Sequence, residues 1–309
     1  MENNNPLVSV VVITYNSRQY VEATLESIKA QTYKNIELIV SDDCSPDNTV
    51  EFVKEWVEKN AEHFAGTKVV VAPKNSGIPA NCNQGVKNSS GVWIKVIAGD
   101  DTLVDTCIAD NLEYAQSNPE AKAIFSRAKA FDENGNIIEN DYFADLFKLD
   151  TNNLSVEQQL QQMQRFMFVT PPTAFMSREI CDKYNCNEKY FYMDDLPFYL
   201  TLLRNGIKLY TFDKHTVNWR QHSESIERTN DKQFYNTKFM DCRLEVYFAE
   251  SFSYNIKHNP DMVVGRIGEE LSYLFARVVL GNRRNFINRV IYKLFNMIVQ
   301  HSVKKNNQW

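Results

Sequence analysis

Apolar positions in the first 130 residues fall into short runs separated by stretches with helical spacing. The runs Val8–Thr14, Ile36–Ser41, Lys68–Ala72, Val92–Ile97 and Ala123–Ala128 are rich in β-branched residues and short enough to be strands. Between the first two, Val21, Leu25 and Ile28 recur at i, i+4 and i+7 behind Ser17, which predicts a helix packed on a sheet and capped by that serine. Strand and helix patterns in alternation predict an α/β fold with a mostly parallel sheet and crossover helices. Glu133-Asn-Gly-Asn136 reads as a tight hairpin turn closing this half.

From about residue 150 the pattern turns helical, with segments at Ser155–Phe166, at Leu196–Arg204 closed by Gly206, and from about 231 to 300. Pro171 and Pro172 break the chain between the first two. There is no internal repeat, and the polar ends, 1–5 and 304–309, are expected to fray.

Composition narrows the class without naming a function. A chain of 309 residues, 43% apolar and 24% charged, can bury a full core as one large or two modest domains. With no signal-peptide pattern and no apolar run of spanning length, the expected location is the cytoplasm. Six scattered cysteines without a CxxC pair are expected to be reduced thiols rather than zinc ligands. The net charge of −5 is uneven, because no Asp or Glu follows Glu270 while seven Lys and Arg do. Such a tail suits an acidic partner, a membrane surface or a polyanion.

The chemistry gathers at the carboxyl ends of the predicted strands, where open α/β sheets bind ligands. Thr14-Tyr15-Asn16 leaves the first strand and offers backbone and a ring as a platform for a base, although such a tyrosine by itself more often only packs. Asp42-Asp43 leaves the second, and a carboxylate there can accept an N–H from a uracil-like base edge, while Asp47 reads as a helix cap. The Gly/Asn-rich entry from Asn75 through Gly77 and Asn81 to Gly85 suits a diphosphate or ribose, or is only a loop and cap. Asp100-Asp101 gives a hard cation the carboxylate oxygens it prefers, with substrate phosphate completing the shell.

Together these residues resemble the inverting glycosyltransferases of the GT-A fold, family 2, over about residues 6–225. The family's opening motif is matched by Val10-Val-Val-Ile-Thr-Tyr-Asn16, its base-binding turn by Ser41-Asp-Asp-Cys-Ser45, and its phosphate-side segment by Asn75, Gly77, Asn81 and Gly85. Its DxD metal motif stands as Ala98-Gly-Asp-Asp101, with Ala98 in place of the first aspartate. The resemblance implies a nucleotide-sugar donor, UDP the favoured carrier, and Mn2+ or Mg2+, with Asp100 toward ribose or metal and Asp101 toward metal. It places Asp195 on the catalytic aspartate and Asp194 on the usual glutamate beside it. A carboxylate at a helix N-terminus stays ionised and can take an acceptor hydroxyl's proton, although both acids also read as simple caps. Trp219-Arg-Gln-His222 matches a segment in which Arg220 offsets diphosphate charge and His222 reaches the metal or diphosphate, while Thr170–Thr173 and Ser177-Arg178 fall on the acceptor side.

The implied organisation is a GT-A catalytic domain over 1–225, with a nucleotide-sugar half (1–130) and an acceptor half (131–225), followed by a helical C-terminal region (226–309). In 283–303, Phe286, Ile287, Val290, Ile291, Leu294, Phe295 and Ile298 form one stripe beside Arg289 and Lys293. That suits a helix at the inner face of a cytoplasmic membrane near a glycan or lipid-linked acceptor, or one packing on protein. Nucleic acid is not an expected partner. Two other readings stand: a catalytically silent nucleotide-sugar binder or assembly partner, allowed by Ala98, and a nucleotidyltransferase, which usually needs a Gly-rich basic loop that Tyr15-Asn-Ser-Arg18 does not supply. A dinucleotide oxidoreductase is disfavoured, since no GxGxxG follows the first strand.

Overall fold

The computed structural model describes residues 5–138, 150–222, 225, 233–283, 285–291 and 293–294. It forms two compact units: Met1–Leu160 with Met167–Gln221, and Gln161–Phe166 with His222–Trp309.

The first unit is built on strands β1 (Val8–Thr14), β2 (Ile36–Asp42), β3 (Gly66–Val71), β4 (Trp93–Ala98), β5 (Thr102–Leu103), β6 (Ala123–Asp132), β7 (Phe175–Ser177) and β8 (Leu209–Gln221). They form one sheet in the order β3-β2-β1-β4-β7-β6-β8-β5. The β3-β2-β1-β4 half is parallel, with Thr14 opposite Asp42 and Ile13 opposite Ala98. β7 runs antiparallel to both β4 and β6, so the sheet is mixed.

Helices α1 (Val21–Lys29), α2 (Thr49–Asn60), α3 (Ile78–Lys87) and α4 (Cys107–Ser117) make the crossovers. The predicted stripe of α1, Val21, Leu25 and Ile28, is buried with Val10, Val12, Leu38 and Val40 of the central strands. Ser17 does not cap α1 through its side chain: the helix starts after Tyr20, and the Ser17 carbonyl accepts from Tyr20 and Val21 at 2.9 Å each. α3 packs so closely on the other side that a Cβ on Gly85 would lie 2.3 Å from Val11 Cγ1.

α5 (Val156–Arg165), α6 (Arg178–Lys183) and α7 (Asp195–Arg204) follow, and α7 ends at Gly206 with φ +81°. The hairpin turn at Glu133–Asn136 is present, closed by Asp132 N–H to Asn136 O at 2.9 Å. Two strands in this half, β7 and the thirteen-residue β8, went unread in the helical pattern.

The second unit contains α8 (Thr237–Val246), a π-helical turn (Tyr247–Ser251), α9 (Phe252–His258) and α10 (Pro260–Val278). The long helical pattern breaks at Asn259-Pro260, where Asn259 leaves helical geometry (φ −139°) and proline starts a new helix. The C-terminal stripe lies within the described residues only as far as Leu294, and Phe295 and Ile298 fall outside them. Among the described residues, no helix is long and apolar enough to cross a membrane.

Candidate active site

At the carboxyl edge of β1 and β2, some polar groups fasten the turns and others are presented by them. Thr14 is buried and its hydroxyl donates to Asp42 Oδ2 at 2.7 Å. Asp42 also accepts Ser45 N–H at 2.7 Å and Ser45 Oγ–H at 2.6 Å, closing the turn after β2. Both turns need a left-handed residue, Asn16 (φ +53°) and Cys44 (φ +63°), an uncommon conformation for side-chain-bearing residues. Asn81 is buried between these strands, accepting from Ser41 Oγ at 2.7 Å and donating to Thr14 O at 3.2 Å. Thr14 and Asn81 therefore act as fastenings beneath the expected donor site. Tyr15, in contrast, is 45% exposed at the tip of the first turn.

Asp43 accepts the backbone N–H groups of Ser76 and Gly77, each at 2.8 Å. Burial pushes its carboxyl above the ordinary value, against those two bonds. Asn75 caps the same turn, its Oδ1 3.3 Å from Gly77 N. A polar groove of about 960 Å³ runs along α3 from Asp43 and Ser76 to Arg178 and Glu188.

The turn after β4 packs directly on the end of β1, for a Cβ on Gly99 would lie 2.8 Å from Thr14 Cγ2. It presents Asp100, half-buried, and Asp101, 3% exposed. Asp101 Oδ1 accepts the backbone N–H of Arg220 at 2.8 Å, and Asp100 O accepts Arg220 Nε–H at 2.7 Å. The Arg220 guanidinium lies 4.4 Å from the centre of the Phe131 ring and 5.0 Å from that of Tyr20. Burial and the Asp100 charge push the Asp101 carboxyl well above the usual carboxylate range. A buried carboxyl whose charged form is disfavoured by burial and by the acid beside it is one that a divalent cation relieves, so these residues fit the expected metal. Among the described residues, no group of three or more His, Cys, Asp or Glu is placed to hold a metal alone, and substrate oxygens would complete the shell.

Asp194 and Asp195 stand at the start of α7, where the helix dipole favours negative charge. Asp195 Oδ1 accepts Leu196 N–H at 2.6 Å. Asp194 lies 3.7 Å from Cys82 Sγ of α3, and burial raises its carboxyl above the ordinary value. Ile78 N–H, at the head of α3, donates to Phe191 O at 2.9 Å. α3 thus joins the Asp43 turn at its first residues to the Asp194–Asp195 turn one helical turn later. His222 is buried and opens the main segment of the second unit, its carbonyl accepting from Ser225 N at 3.2 Å.

Sequence reading passed over Cys82, Tyr20, Phe131 and Lys95. Lys95 left a signal, a charged residue inside the apolar run of β4. Its side chain is fully buried, its ammonium donates to Pro172 O and, at 3.4 Å, to Ala174 O, and burial lowers it to about 8. It therefore ties β4 to the Thr170–Thr173 segment.

Residues 9–184, more than half of the chain, match the model of glycosyl transferase family 2. The chain belongs to that family. It is a glycosyltransferase of the GT-A fold, as its motifs imply. An uncharacterized glycosyltransferase of Methanocaldococcus jannaschii is 23% identical over 82% of this chain and 88% of its own length. WfaP of Escherichia coli, a UDP-Glc:alpha-D-GlcNAc-diphosphoundecaprenol beta-1,3-glucosyltransferase, is 25% identical over 74% of this chain and 82% of its own. Among solved structures, residues 1–349 of Staphylococcus aureus TarS with UDP-GlcNAc superpose with a TM-score of 0.61 at 17% identity, covering 95% of this chain and 81% of that one. The mannosyltransferase PcManGT of Pyrobaculum calidifontis, with GDP-Man and Mn2+, gives 0.55 at 14% identity over 99% and 88%.

Proposed function

We propose that this glycosyltransferase moves a sugar from a UDP-sugar to a hydroxyl of a glycan or lipid-linked acceptor, with inversion, in bacterial surface polysaccharide synthesis. The observation that carries the reading is the span of α3, whose head holds Asp43 and whose next turn meets Asp194, so that a base site and an acid beside an acceptor site share one rigid element. The UDP-glucose and diphosphoundecaprenol of the WfaP name and the UDP-GlcNAc held by TarS support a UDP donor and a lipid-linked acceptor.

Tyr15 stacks on the base and Asp43 accepts its N–H, with Asn75 beside them and Thr14, Asn16 and Asn81 holding the turns in shape. Asp100 and Asp101 would hold Mn2+ or Mg2+, which supplies positive charge opposite the diphosphate. The Arg220 guanidinium adds a second cation to that side. Asp195 takes the acceptor proton as the acceptor oxygen bonds to the anomeric carbon and the bond from that carbon to the diphosphate oxygen breaks. Such base catalysis contributes on the order of 10²–10⁴ in rate. The stretch 283–303 brings the enzyme to the inner face of the cytoplasmic membrane.

The test is a thermal-shift panel of UDP, GDP, dTDP and CMP, each with and without Mn2+. A nucleotide at about 100 times its dissociation constant adds roughly 2.7 kcal/mol of stability. Metal-dependent protection by UDP alone is the expected result. Protection by GDP instead would replace the donor, and protection by none would favour a catalytically silent assembly partner that holds no nucleotide, which Ala98 allows.

A further inference from the structure

α10 is amphipathic in the inverted sense. Its inward face is polar: Glu270 is buried against Arg243 at 3.3 Å, Tyr273 is buried with its hydroxyl on Asp241 at 2.8 Å, and Ser272 Oγ lies 3.3 Å from the Tyr235 hydroxyl. Its outward face is apolar: Ile267, Leu271, Leu274, Phe275 and Val278 recur at i, i+4, i+7, i+8 and i+11, with Leu271 52% and Val278 78% exposed. A helix in water ordinarily turns the opposite way, and a contiguous apolar face of this kind marks a surface meant to be covered. The segment that follows repeats the arrangement. Phe286, Ile287, Val290 and Leu294 are exposed on one side, with the exposed cations Arg289 and Lys293 at its edge.

We propose that the outward face of α10, together with Phe286, Ile287, Val290 and Leu294, docks on an anionic lipid bilayer. This deepens the membrane contact proposed above and rests on that reading, which drew only on the stretch after 283. Charge decides the occupant. The exposed cations Arg289 and Lys293 edge this face and no Asp or Glu follows Glu270 in the sequence, so a second copy meeting the face through its own would set like charges against like. An anionic headgroup layer is complementary to it, with apolar side chains entering the acyl boundary and cations meeting phosphates.

The experiment is co-sedimentation of the full chain with vesicles of phosphatidylcholine, with and without phosphatidylglycerol, at low and high salt, alongside light scattering of the protein without lipid. The expected result is binding to the phosphatidylglycerol vesicles only, weakened by salt. Leu271→Glu with Phe275→Glu should abolish it, and Arg289→Glu with Lys293→Glu should weaken it on the order of tenfold or more, at about 1 kcal/mol per cation near the surface. These substitutions lie on exposed positions, and unchanged circular dichroism and nucleotide-induced thermal shifts would show that fold and donor site are intact. The proposal is overturned if wild type ignores anionic vesicles, if the α10 pair binds like wild type, or if lipid-free wild type is an oligomer that Leu271→Glu dissociates. Failure of nucleotide protection would sink the donor reading while leaving vesicle binding to be scored by itself.

Discussion

The backbone N–H of Arg220 donates to Oδ1 of Asp101 at 2.8 Å, across 119 residues of sequence. The acidic turn after β4 is therefore finished by the last residues of β8, and the guanidinium that follows lies 4.4 Å from the centre of the Phe131 ring and 5.0 Å from that of Tyr20. The backbone bond survives any side-chain change at 220, which separates the shape of the turn from the chemistry of the arginine.

Arg220→Lys keeps the charge and loses the planar group that stacks on Phe131 and donates through Nε to Asp100 O. We expect kcat/KM to fall by about tenfold, corresponding to about 1–2 kcal/mol, with little change in thermal stability. Steady-state kinetics beside a melting curve checks this, and full activity would reduce Arg220 to a plain positive charge.

Asp195→Asn should lower kcat on the order of 10²–10⁴ and leave the nucleotide dissociation constant as it was. Calorimetric titration of UDP with Mn2+ reads the second quantity. Normal turnover by this variant would remove Asp195 from the role of base.

Gly77→Ala meets two obstacles, a φ of +94° and a Cβ that would lie 2.5 Å from Phe191 O. It should destabilise the protein by about 2 kcal/mol or more. Because Gly77 N–H holds Asp43 and its neighbour Ile78 holds Phe191, nucleotide affinity should fall as well. A melting temperature equal to wild type would show that the α3 entry yields easily.

Lys95 gives the stability a pH dependence of known sign. Burial lowers its ammonium from the ordinary 10.5 to about 8, so the unfolded chain holds this proton more tightly than the folded one does. Between those values stability rises with pH, because the folded state sheds a charge it buries at a cost. Relative to Lys95→Met, wild type should gain roughly 3 kcal/mol across that window. Denaturant titrations of both proteins at the two ends measure it, and parallel pH profiles would show that the ammonium stays charged in the fold.

The central strands were legible because buried parallel strands write their position as unbroken β-branched runs, and β1 matches residue for residue. β8 was hidden: Thr211, Asp213, Lys214, His215 and Asn218 give it the composition of a loop, and its pairing with β6 slips around Arg127. Its partners come from distant sequence, which local periodicity does not record. The same limit applies at the site. A polar residue at a strand end advertises itself whether it faces a ligand or its own chain, so the bonds by which Thr14 and Asn81 hold the turns cannot be told from donor contacts by sequence alone. Cys82 beside Asp194 is a contact between α3 and α7 that no spacing announces.

The second unit takes one turn of helix from the middle of the chain. Gln161–Phe166 belongs with His222–Trp309, where Asn255 Nδ2 donates to Gln164 O at 3.1 Å and Arg165 meets Asn259 Oδ1 at 3.1 Å. The C-terminal region is therefore not a cassette that can be exchanged between relatives by cutting at residue 222. A graft of 222–309 alone would arrive without the segment these asparagines bind, and a working chimera must carry 161–166 from the same parent.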